Sequence, residues 1–266
     1  MNLSQALTLL AAAVCLQAQI PIDRAWTILS EAAKDKSPDK RAQAINSLGV
    51  IVSNDRARLA AEEALKDEHE NVRAMAANVL GSMKAKVSAP KLKEALKDPA
   101  MGVVFAAANA LYAMGDPAAY EIYYAVLTRQ KKSGDALLDS QVKMLKDPKA
   151  LTKLGFEAGI GFVPFGGVSY KALKMATGDS VSPVRAAAAS KLSSDADPKS
   201  AEALADATKD PKWLVRAAVI NAIARRNDSS MLAPIIPLMD DENDTVRFNA
   251  AAAVIHLNSP GLSKGK

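Results

Sequence analysis

The chain has 266 residues, of which 49% are hydrophobic but only 5% aromatic, so alanine supplies much of the apolar content and helix is the expected structure. Its 34 basic and 29 acidic residues give a formal charge of +5 and are scattered without a dense Lys/Arg block. That distribution suits a solvated surface and argues against a nucleic-acid footprint.

In chain order, the first feature is an uncharged apolar run, Ala6 to Leu16, followed by Gln17-Ala18-Gln19. It reads as a secretory signal over residues 1–18 with cleavage after Ala18, or else as an apolar first helix capping the fold. Cleavage predicts an exported chain, periplasmic or extracellular; retention predicts a cytoplasmic one. Removal of the segment also removes Cys15, the only cysteine, and with it any disulfide or cysteine nucleophile. No later segment reaches the roughly 18 to 20 apolar residues that a membrane span needs.

Six windows then share one motif: "DKSPDKRAQAINSLG" from Asp35, "DEHENVRAMAANVLG" from Asp67, "DPAMGVVFAAANALY" from Asp98, "DSVSPVRAAAASKLS" from Asp179, "DPKWLVRAAVINAIA" from Asp210 and "DENDTVRFNAAAAVI" from Asp241. The Asp stands six residues before Arg41, Arg73, Arg185, Arg216 or Arg247; in the third window Val104 takes the Arg position. Successive Arg positions lie 31 or 32 residues apart, except between 104 and 185, a gap of 81. One degenerate repeat near Asp135 and an insertion of 19 residues account for that gap. The array therefore divides into four repeats over 22–147, an inserted element at 148–166 and three repeats over 167–258, with a flexible tail at 259–266.

Each unit reads as two helices. The second starts near Ser37-Pro38 or Ser182-Pro183, where Ser caps and Pro suits the first turn. Its apolar stripe recurs at helical spacing, as in Val72, Ala76, Leu80 and Met83, or Val215, Val219 and Ile223. The first helix is more polar; in "NDRARLAAEEALK" the inward residues are expected to be Leu59 and Leu65. Neither helix can bury its stripe alone, but stacked neighbours can.

This Asp-x5-Arg signature on a two-helix period resembles HEAT repeats, and in its shortness the HEAT-like repeats of phycobilin lyases. The resemblance implies an all-α fold, a right-handed superhelical α-solenoid of about seven two-helix repeats. It also implies a ladder in which Asp35, Asp67, Asp98, Asp179, Asp210 and Asp241 alternate with Arg41, Arg73, Arg185, Arg216 and Arg247 along the stack. Val104 breaks that ladder.

The passage "GFEAGIGFVPFGGVSY", residues 155–170, straddles the insertion and the resumption of the array. Lys149 to Phe162 can form a helix that is apolar on two sides, which Pro164 ends. Two readings stand: a plug packed into the solenoid, or a contact element that presents Phe162, Phe165 and Tyr170 to a partner or a membrane surface.

Chemistry-bearing motifs are sparse. The only histidines are His69 and His256. Deoxyhypusine hydroxylase, a HEAT-like enzyme, is built on repeated His-Glu pairs that hold two irons, and here the sole such pair is His69-Glu70. No Gly-x-Ser-x-Gly elbow occurs. The expectation is a non-enzymatic protein with no cofactor and no metal. Five residues beyond the Arg position stand Asn46, Asn78, Asn109, Ser190 and Asn221. On the concave face such a row either bonds along the stack or grips an extended peptide backbone from a protein partner. The expected function is a protein-interaction scaffold; the alternative is an accessory subunit or lyase-like factor related to the phycobilin lyases or hydroxylases.

Overall fold

Each repeat opens where an aspartate folds back on its own chain. Oδ1 of Asp67 accepts the His69 N–H at 2.9 Å, Asp98 that of Ala100 at 2.8 Å, Asp210 that of Lys212 at 2.9 Å and Asp241 that of Asn243 at 2.9 Å. The turn so formed delivers the chain into a helix. Several helices also carry a side-chain cap: Ser37, Asn54, His69 and Asn243 each accept a backbone N–H of the first turn.

The computed structural model describes residues 21–128 and 181–259. In the first part these are α1 (21–32), α2 (Pro38–Ser47), α3 (Asp55–Ala64), α4 (Glu70–Ser82), α5 (Ala89–Ala95), α6 (Met101–Ala113) and α7 (Ala118–Thr128). The second part holds α8 (Ser182–Leu192), α9 (Pro198–Ala207), α10 (Trp213–Arg226) and α11 (Asp244–Leu257). Among the described residues there is no strand, and no helix is long and apolar enough to cross a membrane. The degenerate repeat near Asp135, the 148–166 insertion, Asp179, Phe162, Phe165 and Tyr170 lie outside the described residues, as do residues 1–18 and 260–266.

The even-numbered helices α2, α4 and α6 form one packed layer, and α8, α10 and α11 continue it. Alanine is what allows the close approach: a Cβ added to Gly81 of α4 would lie 2.8 Å from both Cα and Cβ of Ala110 in α6. The more polar helices α3, α5 and α9 lie outside this layer and pack onto it, and α1 buries Ala25, Trp26 and Leu29 in the same core. Between the layers sit Ile51, Leu80, Leu92, Leu111, Leu204 and Ile220, all fully buried. In the last repeat Pro234 and Pro237 replace the outer helix with two short 3-10 segments, Ser229–Leu232 and Ile236–Asp240.

Two local expectations change. Leu59 is 52% exposed, and the inward face of α3 is made by Ala57, Ala61 and Glu62; small residues face the neighbour because the helices run so close. Ser182 is the first residue of α8 and does not cap it; the preceding residue, Val181, makes no side-chain cap bond.

The stack does not follow chain order. The last helix, α11, packs on α10 and also on α2, the inner helix of the first repeat. Both layers take part, since Arg24 of α1 pairs with Asp240 of the last repeat's outer segment. Lys40 reaches Asp244 at 3.5 Å, and the Thr245 hydroxyl donates to Oε1 of Gln43 at 3.4 Å. With a neighbour on each side, α11 buries nearly every residue from Val246 to Leu257. The spatial order of the described inner helices is thus α8, α10, α11, α2, α4, α6.

Candidate protein-binding face

The ladder charges are spent on holding repeats together. Nε and Nη2 of Arg41 donate to the two carboxylate oxygens of Asp67, both at 2.8 Å, while Nη1 donates to the Asp35 carbonyl at 3.0 Å. Arg73 treats Asp98 and the Asp67 carbonyl alike, at 2.7, 2.9 and 2.9 Å. Arg216 does the same to Asp241 and the Asp210 carbonyl, at 2.7, 2.8 and 2.8 Å, and Arg185 pairs with Asp210. The guanidinium groups of Arg41, Arg73 and Arg216 therefore each fix their own turn and the next repeat's turn at once, in the fork geometry that favours arginine over lysine. Burial pushes the Asp67 carboxyl up, but bonds from Arg41 and the His69 N–H outweigh it and hold the group below its usual range.

At the α11–α2 joint the rung is different. Arg247 turns to Asp244 of its own helix and to the Asp241 carbonyl, and Lys40 lies between Asp244 and Asp35, 3.9 Å from the latter. This joint has no arginine fork.

A second polar link ties the outer helices. Glu62 is buried and accepts from Ser88 Oγ and Lys91 Nζ, each at 2.6 Å, and from Arg58 at 2.5 Å. Burial pushes its carboxyl up, and the bonds from Lys91, Ser88 and Arg58 more than reverse this. The sequence signal for this network is Lys91, about one repeat beyond Glu62, together with Arg58 four residues before it.

The asparagine row is brought onto one side of the inner layer, but it is not uniform. Asn46 is 8% and Asn221 9% exposed, Asn78 and Ser190 are half-buried, and Asn109 is exposed. Among the described residues these amides do not bond to one another, and Oδ1 of Asn46 has no partner at all. Burial falls from the centre of the spatial stack to its ends, because the central members lie between neighbouring inner helices.

At the α6 end the face changes character. Phe105, Asn109 and Tyr112 share one side of α6 at i, i+4 and i+7, where α4 has Ala74, Asn78 and Gly81. On α4 that stripe receives α6. On α6 it stands open, with Tyr112 56% exposed. Tyr120 and Tyr123 of α7 complete an aromatic cluster, their rings 5.9 and 6.0 Å from that of Tyr112 in edge-to-face contact, with Phe105 6.3 Å from Tyr123. The Tyr123 hydroxyl donates to Oδ1 of Asn109 at 2.8 Å. Burial, then the neighbouring Tyr112 and Tyr120, raise its pKa, so it stays a donor at neutral pH. Sequence reading selected Asn109 but not the tyrosines, whose convergence depends on how α7 packs on α6.

Both histidines have structural settings. His69 Nδ1 accepts the Asn71 N–H at 3.2 Å as a helix cap. His256 is 6% exposed within α11, with Nδ1 unpartnered. Among the described residues no three His, Cys, Asp or Glu side chains converge as metal ligands.

Compared with known proteins, the chain matches the family model of HEAT repeats over residues 26–111, 60–133 and 170–259. No curated protein matches it. Among solved structures it is similar to human deoxyhypusine hydroxylase in complex with glycerol, at 18% identity over 90% of this chain and 97% of that one, with a TM-score of 0.35. It is also similar to a designed armadillo repeat protein, at 15% identity over 86% of this chain and 98% of that one, with a TM-score of 0.28.

Proposed function

The chain belongs to the HEAT-repeat family, and from that premise we propose that it is a non-enzymatic scaffold that binds another protein through the inner helical face. The contact is centred on Asn109, Tyr112, Tyr120 and Tyr123 and extends along Asn78. One observation carries this reading: in a chain with 5% aromatic residues, four rings converge beside an exposed amide on a helix face whose counterparts are Ala74 and Gly81 on α4 and Ala217 and Ala224 on α10. Aromatic rings with polar tips give large contact area at low entropic cost, and an amide supplies the paired donor and acceptor that a peptide backbone needs. Nucleic acid is not the proposed ligand, nor is a membrane. The N-terminal run Ala6 to Leu16 supports export of the mature chain, which mass spectrometry of the amino terminus of the native protein checks.

A photo-reactive phenylalanine placed at position 112, with position 59 on the outer surface as control, tests the contact in the native host. A discrete cross-link to one other protein from position 112 alone supports it. Cross-links confined to this chain, or equal yield from both positions, overturn it. Metal content and an absorbance spectrum of the purified protein test the alternative of an accessory or lyase-like factor, since a stoichiometric metal or bound chromophore would displace the scaffold reading.

A further inference from the structure

Four of the six described inner helices, α2, α4, α6 and α10, are followed by a bend at the same place in the repeat. Ser53, Lys84, Gly115 and Asn227 all have positive φ, at 54°, 49°, 77° and 53°, and each lies eleven or twelve residues past the ladder position of its repeat. At Lys84 the bend follows α4: the Ala85 N–H donates to the Leu80 carbonyl at 3.1 Å and the Lys84 N–H to that of Gly81 at 3.0 Å. Gly and Asn tolerate this left-handed conformation, and Ser offers a short polar side chain. Lysine has no such excuse, and a strained residue that keeps a long charged side chain points to a use for that side chain.

Its surroundings are the most basic stretch of the outer layer. Residues 84–97 carry five lysines, Lys84, Lys86, Lys91, Lys93 and Lys97, against the single acid Glu94. The corresponding stretch 54–66 balances three acids with three bases, and 197–209 has three acids and two bases. Lys91 is engaged by Glu62 at 2.6 Å and Lys93 by Asp116 at 2.9 Å. The ammonium groups of Lys84, Lys86 and Lys97 have no ion-pair partner among the described residues. Next to Lys86, Val87 is 70% exposed, more than any other large hydrophobic residue described.

We propose that Lys84, Lys86 and Lys97, together with Val87, form a docking surface on the outer side of the array for an acidic polypeptide segment that bears an apolar side chain. The unpaired cations select for carboxylates, and Val87 offers the apolar contact that fixes register. No aromatic residue lies in 84–97 to stack on a base, and one valine is too small an apolar face to hold a bilayer. The surface is separate from the inner face proposed above.

The test uses the full chain and a fluorescein-labelled peptide of glutamates with a central leucine, read by anisotropy at low salt and at 0.5 M NaCl. Lys84→Gly relieves the strained bend, so its thermal midpoint rises while affinity falls by about threefold; a purely structural lysine would give the first change without the second. Adding Lys86→Gln and Lys97→Gln lowers affinity by about tenfold or more, and Lys199→Gln with Lys209→Gln leaves it unchanged. Undiminished binding by the triple variant overturns the proposal. So does equal or tighter binding of a single-stranded oligonucleotide or of phosphatidylserine vesicles to the unaltered chain.

Discussion

Arg216 and Asp241 meet across the joint between the last two repeats through two parallel bonds of 2.7 and 2.8 Å, while the remaining arm of Arg216 holds the carbonyl of Asp210. One side chain thereby ties two turns that are 31 residues apart in the chain. Both partners are largely shielded from solvent, so truncating either leaves an unpaired buried charge.

Arg216→Ala is expected to destabilise the fold by about 3 to 5 kcal/mol, the usual cost of orphaning one member of a buried pair. Arg216→Lys should recover only part of this, because an ammonium cannot span both oxygens and the carbonyl. Urea titration of the two variants checks the order.

Close packing of α4 on α6 sets the sign at Gly81. Alanine would gain about 1 kcal/mol in helix propensity, but its Cβ would fall 2.8 Å from Ala110 Cα, which belongs to the backbone and cannot rotate away. A net loss of about 1 to 3 kcal/mol is expected for Gly81→Ala. Adding Ala110→Gly removes one of the two contacts and should restore part of it.

Acid should weaken the fold in two stages. His256 is held below its ordinary 6.5 by burial, so the folded state binds its proton less readily than the unfolded chain. Its contribution is complete above pH 6.5 and declines as pH falls below that value. Glu62 and Asp67 are held below their ordinary 4.5 and 3.8, so their contribution is complete above about pH 4.5 and is lost as pH falls through the depressed values. Thermal midpoints measured from pH 3 to 8 should lose the upper slope in His256→Leu and soften the lower one in Glu62→Gln.

The joint between α11 and α2 predicts proximity that chain order does not. With Cys15→Ser in place, cysteines at Gln43 and Thr245 should be joined within one chain by a short bis-maleimide, since those side chains touch at 3.4 Å. Absence of an intramolecular product would refute the spatial order of the stack.

Four rungs, Arg41–Asp67, Arg73–Asp98, Arg185–Asp210 and Arg216–Asp241, were legible because a rung needs fixed chemistry at fixed spacing; spacing did not show that Arg247 would turn to Asp244 instead. Leu59 was misjudged for a reason peculiar to alanine-rich arrays: the residue at a close contact is the small one, so Ala57 and Ala61 face inward and the larger side chain is left outside. The asparagine row was located, but spacing alone could not say that Asn46 would be enclosed and Asn109 open. That difference comes from which repeats become neighbours in space. Periodicity specifies the faces of a repeat, and it is silent on whether the first and last repeats find each other.

The meeting of Thr245 with Gln43 makes the extremities of the folded chain the keystone of the arch. In an open array a terminal helix is a lid, and its removal costs one interface. Here, loss of α11 would strip both α10 and α2, so truncation of that helix acts on the middle of the described stack.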